Sequence, residues 1–244
     1  MDSTKGIQMS VAVSAHQGGR EAAPSGTWAA YENALEIGAD YLEFDVRQTR
    51  DGELVAFHDA RIGRDGPWVH DLTRAELCRA AGHEVPGVPE LMRLMAGRAQ
   101  GHVDIKGKGY EAQTVKLACE TLGEDAFVVT SDDLVVGTIK SDFPKVRCAL
   151  SVGRGLLDGP PHRLVQDRWN DFYPRRRLQA CGAEGVAVQY RYARLSVLRM
   201  CARDGVDAMV WTVNDSDWIR HFLRDDRVTV LVTDRPKYAM DLRR

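Results

Sequence analysis

Glu43, Asp45 and His58 fall within one short stretch, Tyr41 to Asp59, YLEFDVRQTRDGELVAFHD. Leu42, Phe44 and Val46 alternate with Glu43 and Asp45. That is the period of a strand, so both carboxylates point to one face. Two acidic groups stacked there are costly unless a cation or solvent meets them. Asp51-Gly52 is a hairpin signal. After it, Glu53 to Phe57 reads as a second short strand that delivers His58 and Asp59. Hard oxygen ligands beside an imidazole are the material of metal-assisted phosphate chemistry. An acidic pair on a strand also occurs as a solvated edge, so the reading rests on what the remaining chain brings to the same place.

The elements that must position these groups alternate between strand-like and helix-like stretches. Met9 to Ala15 reads as a first strand ending in His16-Gln17-Gly18-Gly19, and Thr27 to Ile37 as a helix closed by Gly38. The acidic stretch follows as strand two. Residues 60–90 interrupt the rhythm with Gly63, Gly66, Pro67, Pro86, Gly87 and Pro89, and read as an insertion on one rim. Further strands are expected at His102–Ile105, Ala126–Thr130, Val146–Val152, Gly185–Val188, Val206–Val213 and Val228–Val232. Helices are expected at Glu90–Ala96, Glu111–Leu122, Ser131–Ser141, Tyr192–Arg203 and Asp215–Leu223. Residues 153–177 are the least regular, with Pro160, Pro161 and Pro174 beside many arginines, and suit either a long active-site loop or an exposed stretch. Eight strands, mostly followed by helices, in 244 residues point to α/β class and one closed (β/α)8 TIM barrel spanning 1–244.

Active-site groups of such a barrel sit at the C-terminal ends of its strands. The polar residues found there are His16, Glu43, Asp45, Asp104, Lys106, Trp211 and Asn214. Asp104 and Lys106 are two apart and therefore share a face. The barrel thus turns scattered residues into one mouth.

These motifs resemble the glycerophosphodiester phosphodiesterase family, a group of phosphatidylinositol phospholipase C-like barrel phosphodiesterases. His16-Gln17-Gly18 is similar to the family's His-Arg-Gly. Gly38 to Asp59 resembles its "GAD, E-x-D-V, T-x-DG, HD" signature, and Val69 to Leu77 its "V-x-DLT-x-x-EL" segment. Asp104-Ile105-Lys106 stands where the family has Glu-x-Lys. Trp211 to Asn214, WTVN, and Thr233 to Pro236, TDRP, resemble its last two strand ends. The resemblance implies a metal-dependent hydrolase that cleaves phosphodiesters beside a free hydroxyl, giving an alcohol and a glycerol 3-phosphate-like monoester. It implies Glu43, Asp45 and Asp104 as ligands of a divalent cation, Mg2+ or Ca2+, and His16 and His58 as acid and base in either order. It implies Lys106 and Gln17 as substrate contacts. Trp211 reads either as an apolar wall for the leaving group or as plain packing. Asp104 is shorter than the usual Glu, as in the related sphingomyelinase D enzymes.

Two departures bear on the substrate. Gln17 replaces an Arg, and Pro24-Ser25-Gly26-Thr27 replaces "P-E-N-T". They keep a second reading open: the same site acting on a lysophospholipid, by sphingomyelinase D-like cyclisation, or on a prenyl or other specialised phosphate or diphosphate ester. A silent phosphate-binding barrel is a third reading, disfavoured because every expected carboxylate and imidazole is present. A formal charge of −2 argues against a nucleic-acid binder. No apolar run approaches membrane-spanning length, and the apolar run after the N-terminus is too short for a signal peptide core. Cys78, Cys119, Cys148, Cys181 and Cys201 show no CxxC spacing. They read as free thiols of a cytoplasmic protein without a zinc site. Among the other histidines, His70, His83, His162 and His221 read as surface residues and His102 as core.

Overall fold

In the computed structural model, which describes residues 11–153 and 171–243, eight parallel strands close on themselves. They are β1 (Ala12–Ala15), β2 (Tyr41–Gln48), β4 (Gln100–Ile105), β5 (Phe127–Ser131), β6 (Cys148–Val152), β7 (Gly185–Gln189), β8 (Asp207–Trp211) and β9 (Val230–Thr233). The ring is sealed where β1 pairs with both β9 and β2, through Ser14↔Val232 and Ser14↔Tyr41. The ninth strand, β3 (Leu54–Ala56), is the hairpin return after Asp51-Gly52 and pairs antiparallel with β2 at Val46↔Ala56. The expected barrel is therefore present, with one extra strand after β2.

The strands read as near-continuous apolar runs because both faces are buried, one inside the barrel and one under helices. Leu42, Phe44 and Val46 are fully buried beneath the helical layer. That layer comprises α1 (Trp28–Glu36), α3 (Val88–Met95), α4 (Glu111–Thr121), α5 (Asp133–Asp142), α6 (Arg175–Cys181), α7 (Tyr190–Tyr192), α8 (Leu198–Asp204), α9 (Ser216–Leu223) and α10 (Pro236–Arg243). α7 and α8 are joined by a π-helical turn, Ala193–Val197. The insertion carries α2 (Arg74–Ala81), started by a reciprocal capping box between Thr73 and Glu76. It packs on its own small core of Val55, Val69, Leu77 and Val85. Inside the barrel, Tyr41, Val128, Ala149, Met209 and Val230 form an apolar cluster below the mouth.

The boundaries shift by a few residues. α3 begins two residues before the expected Glu90, because Pro89 occupies the first turn, where its missing N–H costs nothing. α10 is not among the expected helices. Its Arg243 ion-pairs with Asp40 and donates to the Val11 carbonyl, tying the last helix under the first strand. The first strand is described from Ala12, and most of the irregular 153–177 stretch, with His162, lies outside the described residues. His70, His83 and His221 are exposed, and all five cysteines are free thiols. No helix among the described residues is long and apolar enough to cross a membrane.

Candidate active site

Strand register assembles the acidic cluster. β2 and β4 run parallel with Glu43 opposite His102 and Asp45 opposite Asp104. Side chains two apart share a face, so three carboxylates rise on adjacent strands inside the barrel. One oxygen from each of Glu43, Asp45 and Asp104 lies within 4.8 Å of the others, and all three residues are buried. Burial first, then the neighbouring Asp45 charge, pushes the Glu43 carboxyl up to about 8.

Two neighbours meet part of this charge. The backbone N–H of Gln17 donates to Glu43 Oε2 at 2.7 Å, and its side-chain Nε2 donates to Asp45 Oδ2 at 2.8 Å. Gln17 holds φ at 48°, the left-handed region, as the only non-glycine among the described residues to do so. The turn is fixed by Gly18, whose absent Cβ would meet the Ala30 carbonyl carbon at 2.7 Å. Lys106 Nζ lies 2.7 Å from Asp104 Oδ2 and 2.8 Å from Asp45 Oδ1. The second contact is an ion pair without hydrogen-bond alignment, so buried Asp45 Oδ1 has a charge partner but no hydrogen bond. Three buried carboxylates that share one ammonium in an all-oxygen cluster fit a hard divalent cation such as Mg2+ or Ca2+.

Two imidazoles face the same cavity. His16 follows β1, and its Nδ1 lies 2.6 Å from Asp234 Oδ1. Asp234 is held in turn by Asn214, whose Nδ2 donates to Asp234 Oδ2 at 2.7 Å. Burial alone would push the His16 pKa down. The carboxylates of Glu43, Asp234 and Asp45 outweigh it and raise the pKa to about 9. His58 follows β3, is about half exposed, and sets its Nδ1 2.7 Å from Asp59 Oδ1. Both Nε and Nη2 of Arg47 donate to the His58 carbonyl, at 2.9 and 2.8 Å, fixing the backbone that carries the ring. In each case a carboxylate takes Nδ1 and leaves Nε2 for the cavity.

The cavity has a volume of about 660 Å³, and its walls include His16, Glu43, His58, Asp104, Lys106 and Trp211. Asp45 and Gln17 stand behind this wall, Gln17 facing the carboxylates. Sequence reasoning missed Arg47, though it shares the face of Glu43 and Asp45 at the next alternate position. It also gave no role to Asp234, which lies 218 residues from its partner His16. Only the TDRP motif signals it. His102, expected in the core, is buried at 4% exposure yet borders the cavity. Its ring sits between Ser14 Oγ at 3.0 Å and Thr130 Oγ1 at 3.1 Å.

Comparison with known proteins places these features. Residues 16–137 match the model of the glycerophosphoryl diester phosphodiesterase family. The chain is 31% identical over 234 residues to probable glycerophosphodiester phosphodiesterase 2 of Mycobacterium tuberculosis, covering 90% of this chain and 85% of that one. The fold is shared with a putative glycerophosphoryl diester phosphodiesterase from Silicibacter pomeroyi, at TM-score 0.78, 22% identity, and coverage of 96% and 93%. It is shared also with a phosphodiesterase from Oleispira antarctica in complex with its product sn-glycerol-3-phosphate, at TM-score 0.75, 19% identity, and 96% coverage of each chain. The family match begins on His16 and runs past Lys106, through every clustered carboxylate and both imidazoles, so the chain belongs to the glycerophosphodiester phosphodiesterase family of enzymes.

Proposed function

We propose that this enzyme hydrolyses a glycerophosphodiester to an alcohol and a glycerol phosphate, using a divalent cation held by Glu43, Asp45 and Asp104. The observation that carries this reading is the convergence of three buried carboxylates and two carboxylate-backed imidazoles on one cavity. The Oleispira relative of this fold holds sn-glycerol-3-phosphate as product, which is the monoester expected here.

The cation would supply charge to offset that building on the phosphoryl oxygens. Lys106 binds the substrate phosphate with its ammonium, and Trp211 lines the side where the leaving group lies. Gln17 acts from behind, holding Glu43 and Asp45 in position. His58 Nε2 takes the proton of the attacking glycerol hydroxyl as the new O–P bond forms a cyclic phosphate. His16, whose surroundings favour its protonated form, gives its proton to the oxygen of the departing alcohol as the old P–O bond breaks. Water, deprotonated by His16, then opens the cyclic phosphate while His58 returns its proton to the freed hydroxyl, giving the glycerol phosphate. Asp234 and Asp59 keep each ring in the tautomer that presents Nε2.

The test is release of glycerol phosphate from a panel of glycerophosphodiesters, followed by phosphorus NMR, after chelation and after Mg2+ or Ca2+ is restored. Loss of turnover in chelator and recovery with cation support the reading. Full turnover in chelator overturns the cation's part. Cation binding without turnover of any diester would move the substrate to another phosphate ester, a direction consistent with Gln17 standing where relatives with His-Arg-Gly carry a charge.

A further inference from the structure

The cavity is divided. Among the described residues, every charged group on its wall comes from the segment His16 to Lys106. The opposite wall, from β5 to β8, carries Thr130, Ser151, Gly153, Ala187, Gln189 and Trp211, with no formal charge among the described residues. Gly153 and Ala187 leave room on this side. A Cβ at Gly153 would meet Gln189 Cβ at 2.8 Å, so the glycine is what lets Gln189 stand against the cavity.

Hydrogen-bonding capacity on this wall is left over. Ser151 is buried at 6% exposure, and its hydroxyl has no protein partner among the described residues. Gln189 accepts the Arg191 N–H at its Oε1, at 2.8 Å, which orients the amide and leaves Nε2 with two donors to offer. Asp171, whose carboxylate accepts the Gly153 N–H at 3.1 Å, is also paired with Arg177 at 2.6 Å. Trp211 adds one flat apolar face.

We propose that this wall, uncharged among the described residues, binds the departing alcohol and selects a polyol: a second glycerol, an inositol or a sugar. The inference rests on the glycerophosphodiesterase reading. A polyol matches paired hydroxyl and amide donors, and its C–H face packs on an indole. A trimethylammonium or ammonium headgroup needs a carboxylate or an aromatic cage, and among the described residues of this wall it meets a single Trp. Among the described residues this wall offers an acyl chain only Ala187 and Trp211.

The test compares kcat/KM for glycerophosphoinositol and glycerophosphoglycerol with that for glycerophosphocholine and glycerophosphoethanolamine. The polyol diesters should be favoured at least about tenfold, the scale of one or two hydrogen bonds. Ser151→Ala and Gln189→Leu should each cut that ratio about fivefold, chiefly through KM. Ser151→Ala deletes a hydroxyl that no group among the described residues uses, so the fold should tolerate it. Calorimetric binding of glycerophosphoinositol and glycerophosphocholine to His16→Ala reads the same preference without turnover. Equal or better use of the choline diester, or a ratio unmoved in both variants, overturns the polyol subsite and leaves the diesterase reading standing. No turnover of any of the four overturns the diesterase reading, and the subsite with it.

Discussion

Glu43 gives a test of the cation site that needs no substrate. Its carboxyl is raised to about 8 from an ordinary 4.5, by burial and by Asp45. A carboxyl whose folded pKa lies above its unfolded value binds its proton more tightly in the folded state. Stability is therefore greatest with the proton on, and falls as pH rises from about 4.5 through about 8. The gap corresponds to at most about 5 kcal/mol, and about half that is the realistic share because Asp45, Asp104 and Lys106 bear on the same charge. His16 acts in the same direction. Its stabilising charge is fully present below about 6.5 and is lost as pH climbs through about 9. At roughly 2–4 °C per kcal/mol for a chain of this size, the chelated protein should lose roughly 5–10 °C of Tm between pH 6 and pH 8.5. A divalent cation replaces the missing proton. At about 100 times its Kd it adds about 2.7 kcal/mol, and its affinity rises over the same pH range. The assay is thermal unfolding in EDTA and in Mg2+ or Ca2+ at both pH values, with Glu43→Gln as control. That variant should flatten the pH slope and weaken the cation's effect together. A flat Tm in EDTA, or a cation that stabilises equally at pH 6 and 8.5, would refute the reasoning.

Three further outcomes follow from the site. His16→Ala and His58→Ala should each lower kcat by roughly two to four orders of magnitude, and a near-normal rate in either variant removes that residue from the chemistry. Asp234→Asn takes away the carboxylate on His16 Nδ1, so the pH limb that reports His16 should move to lower pH; a limb that stays put means Asp234 only packs. Gln17→Ala deletes the donor to Asp45 Oδ2 and keeps a strained φ, so it should cost about 1–3 kcal/mol in chelator. Gln17→Gly loses the same donor but relaxes the backbone, so it should be the more stable of the two by about 1 kcal/mol; the reverse order in unfolding experiments would show that the turn is unstrained.

What could be read in the chain divides by range. Glu43 and Asp45 were legible because a two-residue period is local. Asp104 was legible once the barrel placed its strand end at the same mouth, and the β2–β4 register sets Asp45 directly opposite it. The hairpin that delivers His58 announces itself in Asp51-Gly52. Asp234 was not legible as a partner, because its meeting with His16 depends on β9 closing against β1, the last step of the ring. α10 was passed over for a related reason. Its anchor, Arg243 on Asp40, is a contact of the closed barrel and leaves no periodic trace.

Gln17 shows how far a motif carries and where geometry takes over. In the sequence it is a neutral residue in place of Arg, and the inference runs toward weaker phosphate binding. In the structure both of its donors point at carboxylates, Glu43 through the backbone and Asp45 through the side chain. A charged residue there would add to the positive charge that balances the cluster, whereas Gln holds the oxygens in place without contributing charge. The demand for positive charge then falls on Lys106 and on the proposed cation, and Asp45 Oδ1 has an ion pair with Lys106 but no aligned hydrogen bond. Residue 17 thus works on the carboxylates, and the proposed choice of alcohol rests on the far wall, where Ser151 and Gln189 have donors unused among the described residues.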